Sequence, residues 1–363
     1  MNYLKRLGSA LLAPMLALIL ALAVTSVILV AFGSDVAMVF QQMWAYGSQA
    51  SSIALILNLA TTYYLSAVAV AIGFKMNLFN IGVNGQYLLG GMAAAAVAGH
   101  LNLPGYLAIP ITMLVAIVVA GAWAGIAGWL KVSRGVSEVI STIMLNFIAL
   151  GIISYTIIRT NVGEDISVNE RGTHRIPKSG WMPGFTLPNA DTEVYGFIFI
   201  ALLVGVGYWF VLNRTRFGYD LRASGMSPSA AVASGVDSKK MIAVTMLISG
   251  GIAGLVALPD LLGSSHTYTL NFPTGFGFTG IAIALIGRNN PVGIAFGALL
   301  WAFLDVSSQQ LDLVGVPQEI VTILQGVTVL AVVIAYEIVR RNKVKTQQRD
   351  VGLALASQEA GAQ

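Results

Sequence analysis

An all-α, polytopic membrane protein is the fold class this sequence predicts, and three observations carry the prediction. Of its 363 residues, 56% are apolar and only 10% are charged, and mean hydropathy is +0.78. Soluble domains carry about a quarter charged residues to face water, so the solvent here is lipid. Second, several uncharged stretches reach the about 20 residues that a helix needs to cross a bilayer core of about 30 Å. Third, runs such as 111–130 are apolar on every face. Barrel strands instead alternate at every second residue. Backbone groups in lipid must pair within the chain, so these runs read as helices.

The predicted spans are 9–32, 53–73, 79–98, 106–131, 137–159, 193–212, 241–260, 276–287, 291–310 and 318–340, about ten transmembrane helices in all. The first run follows Lys5 and Arg6 but is too long for a signal-peptide core, so it reads as a retained helix. The eighth is short, and the sequence Arg288, Asn289, Asn290, Pro291 predicts a tight hairpin into the ninth. Broken helices of this kind often line a solute path. The organisation expected is a permease domain over 1–340, containing a cytoplasmic loop at 213–240, and a polar, mobile tail at 341–363.

Charge sets the direction. With the amino terminus inside, all of the 20 Lys and Arg except Arg159, Arg171, Arg175 and Lys178 fall on the cytoplasmic face. This is the positive-inside pattern, and it puts both termini in the cytoplasm. The net charge of +4 therefore describes orientation, and no nucleic-acid partner is expected.

Several chemistries lack their residues. Cysteine is absent, and His100, His174 and His266 are far apart in sequence, so no metal site is expected. The motifs HExxH and GxSxG do not occur, so the chain does not read as an enzyme. No lysine follows a glycine, so a phosphate-binding loop is missing and any ATP is hydrolysed elsewhere. Proton-coupled carriers keep carboxylates at depth; here Glu138, Asp260, Asp305, Glu319 and Glu337 are predicted near helix ends. A sodium site of backbone carbonyls would leave no such mark, so an ion-coupled carrier or facilitator stays open as the alternative.

The largest inside loop is unlike an idle linker. Ser227 is placed to cap a short helix with Pro228 in its first turn, and Gly235 to end it. A basic surface loop that only sets orientation is the plainer reading. The stretch RASGMSPSAAVASGV at 222–236 resembles the coupling segment of membrane subunits of ABC importers in the ribose and branched-chain amino acid permease group. FNIGVNGQ at 79–86, SEVISTIMLNFIA at 137–149 and GFGFTGIAIALIGRNNPVGI at 275–294 extend the resemblance to nucleoside and simple-sugar permeases that work with a basic-membrane-protein type binding lipoprotein. It covers about 53–340. Asn84 departs from it, since the family's FNIGxxGQ segment commonly carries glutamate there.

The resemblance implies a multi-pass protein of the bacterial plasma membrane. It implies a cytoplasmic ABC ATPase that holds ATP and Mg2+, a second homologous permease subunit, and an extracytoplasmic solute-binding protein; this chain itself would bind no cofactor. It assigns ATPase coupling to Arg222, Ala223, Gly225, Pro228, Ala230, Ala231 and Gly235.

Polar residues within the spans are the candidates for the solute pathway: Asn80, Asn84, Gln86, Asn146 and Gln325. Asn80 and Asn84 are four apart and are expected to share a helical face. Amides suit ribose hydroxyls and base edges, while Tyr63, Tyr64, Phe276 and Phe278 offer rings for a base. Buried amides also simply bond neighbouring helices, which is the competing reading. Gly90, Gly91, Gly250, Gly251 and Gly254 predict close helix packing. The external loop 160–191 either docks the binding protein or caps the bundle.

Overall fold

The computed structural model describes residues 22–311 together with 320–323, 325–331, 334, 338, 341 and 348. The tail at 341–363, read as mobile, and most of the last predicted span lie outside the described residues. Two compact units divide the chain, one of Met1–Tyr46 with Ser307–Gln363 and one of Gly47–Val306.

In the smaller unit, α1 (Leu22–Ala31) is followed by α2 (Val36–Gly47) at a bend of 118°. The spans predicted from sequence do not include α2, which at 12 residues is shorter than a bilayer crossing needs. Asp35 starts α2: its carboxylate accepts from the Ala37 and Met38 amides at 2.9 and 3.2 Å.

The larger unit is a helical bundle. Its long helices are α3 (Ala50–Phe74), α5 (Gly105–Arg134), α6 (Glu138–Arg159), α7 (Phe197–Arg214) and α13 (Pro291–Ser308). A further run begins as α10 (Ser238–Gly254), tightens to a 3-10 turn, passes through the one-turn α11 (Leu258–Asp260) and ends in a π turn, Leu261–Ser265. Pro259 within this run brings no amide donor, and the helix changes pitch around it. Among the described residues six helices are long and apolar enough to cross a membrane, or seven if the bent α1–α2 pair is one span.

The remaining helices of the unit are shorter than predicted spans. α4 (Val83–Ala98) starts four residues later than expected, and α12 (Phe276–Ile286) has 11 residues. The predicted hairpin from α12 to α13 is present: Arg288 and Asn289 both take left-handed backbone angles, and Asn290 Oδ1 accepts from the Val292 amide at 3.0 Å to start α13.

The chain is mostly helical, as expected, and two short hairpins that the sequence analysis does not predict add to it. Within the loop after α6, β1 (Gly163–Ser167) pairs with β2 (Glu170–Thr173), and β3 (Gly184–Thr186) pairs with β4 (Glu193–Tyr195), both antiparallel. Arg171 pairs with Asp165 across the first hairpin at 3.0 Å. Polar strand residues there look like loop sequence, so periodicity does not reveal them. The hairpins are tied to the bundle by a bridge from Gly172 to Thr269 and by Asn58 of α3, which exchanges bonds of 2.8 and 2.9 Å with Glu193 and Tyr195.

Small residues bring α5 and α10 together. A Cβ on Gly254 would overlap the Ala116 carbonyl, and one on Gly250 the Ala124 methyl, so the predicted packing role of these glycines is what the structure shows. α4 is buried almost throughout and forms the centre of the unit.

Candidate functional site

Two regions carry the residues singled out by sequence, and they lie toward opposite ends of α3. Near its start, Ser51 accepts from the Asp191 amide at 3.0 Å, so the β3–β4 loop covers that end. At its other end, Lys75 follows the last turn and meets the polar segment 213–240.

That segment folds as two helices, α8 (Arg216–Met226) and α9 (Pro228–Ala233). The capping read from sequence is realised: Ser227 Oγ accepts from the Ala230 amide at 3.3 Å, Pro228 opens α9, and Gly235 has φ +83°. Thr215 caps α8 in the same way through the Gly218 amide at 3.1 Å. Ala231 is buried, whereas Pro228, Ala230, Val232 and Gly235 are exposed, and Met226 between the helices is 89% exposed. Arg222, Ala223 and Gly225 are half-buried on α8. Gly225 rests on the backbone of Lys75 and Met76, and Ser238 Oγ bonds the Pro228 carbonyl at 3.4 Å. The Lys75 ammonium is pushed below its ordinary value, first by burial and then by the positive charges of Arg222 and Arg288.

Beyond Lys75 the chain turns sharply into α4, and amide side chains hold the turn. Asn80 and Gln86 bond reciprocally at 2.9 and 2.8 Å, Asn80 also donates to Ser249 at 2.8 Å, and its oxygen accepts from the Gly82 amide at 3.1 Å. Asn146 of α6 donates to the Ile81 carbonyl at 3.0 Å and accepts from the Gly85 amide at 2.8 Å. These bonds satisfy backbone groups that a turn at this depth would otherwise leave unpaired. The expectation that Asn80 and Asn84 share a helical face is corrected, because Asn80 precedes the first turn of α4 and only Asn84 is helical.

Asn84 belongs to a second cluster. Its oxygen accepts from the Gly275 amide at 2.9 Å, and the backbone beside it leaves no room for a side chain at Gly277. Phe276 opens α12 here, with Tyr63 edge-on at 5.7 Å and Tyr87 stacked at 5.8 Å between centroids. Ser66 donates to the Phe276 carbonyl at 2.7 Å and Tyr87 to the Pro273 carbonyl at 2.9 Å. Tyr63 donates to Asp305 of α13. Asp305, which the sequence analysis placed near a helix end, therefore meets α3 thirteen residues, or about 20 Å, along that helix. No local sequence signal joins these two residues, which are 242 positions apart.

The other predicted pathway residues stand elsewhere. Phe278 is two residues from Phe276, about 200° around the helix, and is 54% exposed. Tyr64 packs against Gly205 of α7. Gln325 is buried in the smaller unit.

Pro273 and Phe272 also line a cavity of about 620 Å3, which Glu164, Asp165, Glu170, Arg175 and Asp260 make polar. It lies between the β1–β2 hairpin and the segment after the π turn. Among the described residues no three His, Cys, Asp or Glu side chains gather to hold a metal.

With this geometry in place, comparison with known proteins is informative. Residues 52–333 match the family described as branched-chain amino acid transport system / permease component. The chain is 36% identical over 339 residues to the guanosine ABC transporter permease protein NupP of Bacillus subtilis, spanning 92% of this chain and 96% of that protein. It is 30% identical to the glucose ABC transporter permease protein TsgB13 of Haloferax volcanii, over 87% and 85% of the two chains. With the nucleoside ABC transporter permease protein NupB of Lactococcus lactis it shares 28% identity, over 90% and 91%. Apolar helices, a capped polar segment at one end of the bundle and a match across most of its length agree, and the chain belongs to the family of branched-chain amino acid transport system permease components.

Proposed function

We propose that this permease is the moving conduit of an ATP-driven importer for nucleosides or related simple sugars, with ten membrane crossings and both termini in the cytoplasm. The first predicted span, α4, α12 and the last predicted span complete the count beyond the six described helices long enough to cross alone. The positive-inside distribution supports the orientation, and the opposite ends of α3 then carry the outer hairpins and the inner α8–α9 segment.

One observation carries the reading: α9 is capped at both ends, stands beside exposed Met226 and presents Val232 to solvent, and follows α8, whose Gly225 rests on the backbone of Lys75 and Met76 just past the end of α3. A short rigid helix with an exposed apolar edge suits the groove of a cytosolic ATPase, and its seat on α3 passes movement to the bundle. ATP and Mg2+ sit on that ATPase. A second homologous permease completes the conduit, and an extracytoplasmic binding protein delivers solute to the hairpin face.

The substrate class follows from the relatives named for guanosine, nucleosides and glucose and from the Asn84, Tyr63, Tyr87 and Phe276 cluster. Asn80, Gln86 and Asn146 support this path by fixing the turn into α4. Co-purification with a cassette ATPase, followed by ATP-dependent uptake of labelled nucleoside into proteoliposomes, tests the proposal. Uptake driven by an ion gradient alone, without ATPase, would overturn it and restore the carrier alternative.

A further inference from the structure

We propose that the cavity between the β1–β2 hairpin and the segment 265–273 is a receiving site for the solute, where the Glu170 carboxylate accepts from two adjacent hydroxyls of a ribose or sugar ring. The proposal rests on the importer reading above and names a binding site on the hairpin face.

The cavity has fixed walls. The Thr173 and Ile176 amides donate to the Tyr268 and His266 carbonyls at 2.8 and 2.9 Å, and the Leu270 amide donates to the Arg171 carbonyl at 3.1 Å. These bonds join β2 and the residues just after it to 266–270. Along such extended segments side chains alternate: Tyr268 is buried in the core at 2% exposure, while Thr267 and Thr269 on either side of it line the cavity. At about 620 Å3 the space falls within the range of about 300–1,000 Å3 that small-molecule sites occupy.

Its lining keeps unused hydrogen-bonding groups. Asp165 is engaged by Arg171, Glu164 by His174 and Asp260 by Ser264. Glu170, Arg175, Thr267, Thr269 and Asn271 line the same space, and their side chains make no hydrogen bond or ion pair with another described residue. The Arg175 guanidinium instead lies over the Trp181 ring, 5.7 Å from its centroid.

That set selects a ligand class. A hydroxyl both donates and accepts, so a neutral ring rich in hydroxyls satisfies a carboxylate, a guanidinium, two threonines and an amide together. A cation would meet Arg175 and an anion would meet Glu170, and among the described residues these acids form no group that could hold a metal ion. Two adjacent hydroxyls match the two oxygens of one carboxylate. Phe272 and Pro273 add an apolar wall for the C–H face of the ring or for an attached base.

The chain has no cysteine, so one introduced thiol reports on the cavity alone. The test reconstitutes the complex of permeases and ATPase in liposomes with Asn271→Cys in this chain, and follows labelling of this chain by a membrane-impermeant maleimide as inosine is added. Inosine is expected to slow the labelling. The 2′,3′-dideoxy form, which lacks both hydroxyls, should need an at least about tenfold higher concentration for the same protection, because a hydrogen bond to a charged group is worth about that factor. Adding Glu170→Gln to Asn271→Cys should raise the concentration of inosine needed by a similar factor. Val168→Cys, fully exposed in the turn of the hairpin, should be labelled at one rate with or without nucleoside. Failure of inosine to protect Asn271→Cys overturns the proposal, and so does equal protection by the dideoxy form. Should the Glu170 variant fail to fold, the comparison of the two nucleosides decides alone. ATP-driven uptake of labelled nucleoside by the wild-type complex, with binding protein added, separates the two failures. Uptake without protection removes the cavity site and leaves the importer reading standing; protection without uptake keeps the site and removes that reading.

Discussion

Gly225 lies so close to Lys75 that a Cβ there would stand 2.7 Å from the Lys75 carbonyl oxygen and 2.8 Å from Met76 Cα. Both neighbours are backbone and cannot swing aside, so any side chain at 225 must move α8 away from the end of α3. Overpacking of this kind costs about 1–3 kcal/mol. In the importer, Gly225→Val is expected to lower ATP-driven uptake by about tenfold, the equivalent of about 1.4 kcal/mol, while the associated ATPase still hydrolyses ATP. Uptake and hydrolysis measured on the same proteoliposomes check this, and a parallel loss of both would point to failed assembly instead.

Asn80→Ala separates a structural amide from one that only lines a path. The substitution removes both bonds to Gln86 and strands the Gly82 amide, while Ser249 loses the bond it accepts but still donates to the Ala69 carbonyl. Leaving buried polar groups unpaired costs about 1–3 kcal/mol, so the detergent-purified protein should melt several degrees lower. Gln86→Ala should cost a similar amount, and the double variant less than the two together, because the pair is lost only once. Additive losses would contradict the reciprocal pair.

The contrast between these residues shows what a sequence discloses. Local chemistry was legible: Ser227, Pro228 and Gly235 name a capped helix within nine positions, and the uncharged runs name their own helices. The turn at 75–82 was not, because FNIG is apolar enough to read as helix until Asn146, 65 residues from Ile81, supplies the bond that ends it. Asn80 and Asn84 have the spacing of one helical face, but that spacing has meaning only once the chain is helical. The Tyr63–Asp305 bond was least accessible, since pairing across 242 residues is set by the packing of α3 and α13 rather than by any pattern in either.

Two glycines about one turn apart on the same helical run should respond very differently to one methyl group. At Gly251 a Cβ meets the Ile117 methyl at 3.3 Å, and a side chain can yield by a few tenths of an ångström. At Gly254 it would overlap the Ala116 carbonyl and Cα-flanking backbone of α5. Gly251→Ala is therefore expected to change stability by less than about 1 kcal/mol and Gly254→Ala to cost about 1–3 kcal/mol. Thermal unfolding of the two variants side by side checks the order, and equal shifts would show that α5 and α10 do not approach this closely.

Acid sensitivity should trace to His266, which follows the π turn and stacks on Trp181 at 3.7 Å with its ring nearly parallel. Burial lowers its affinity for a proton below the ordinary imidazole value, and the positive charge of Arg175 lowers it further. Its Nδ1 is buried without a hydrogen-bond partner, in keeping with a neutral ring. The unfolded chain protonates this histidine near pH 6.5, while the folded chain resists until lower pH. Below about pH 6.5 the unfolded state therefore binds more protons, and stability falls as pH drops toward the depressed folded value. His266→Phe retains an aromatic ring for Trp181 and removes the titration. The melting temperature of the wild type should decline between pH 7.5 and pH 5.5 more steeply than that of the variant. Identical slopes would assign the acid sensitivity to other groups.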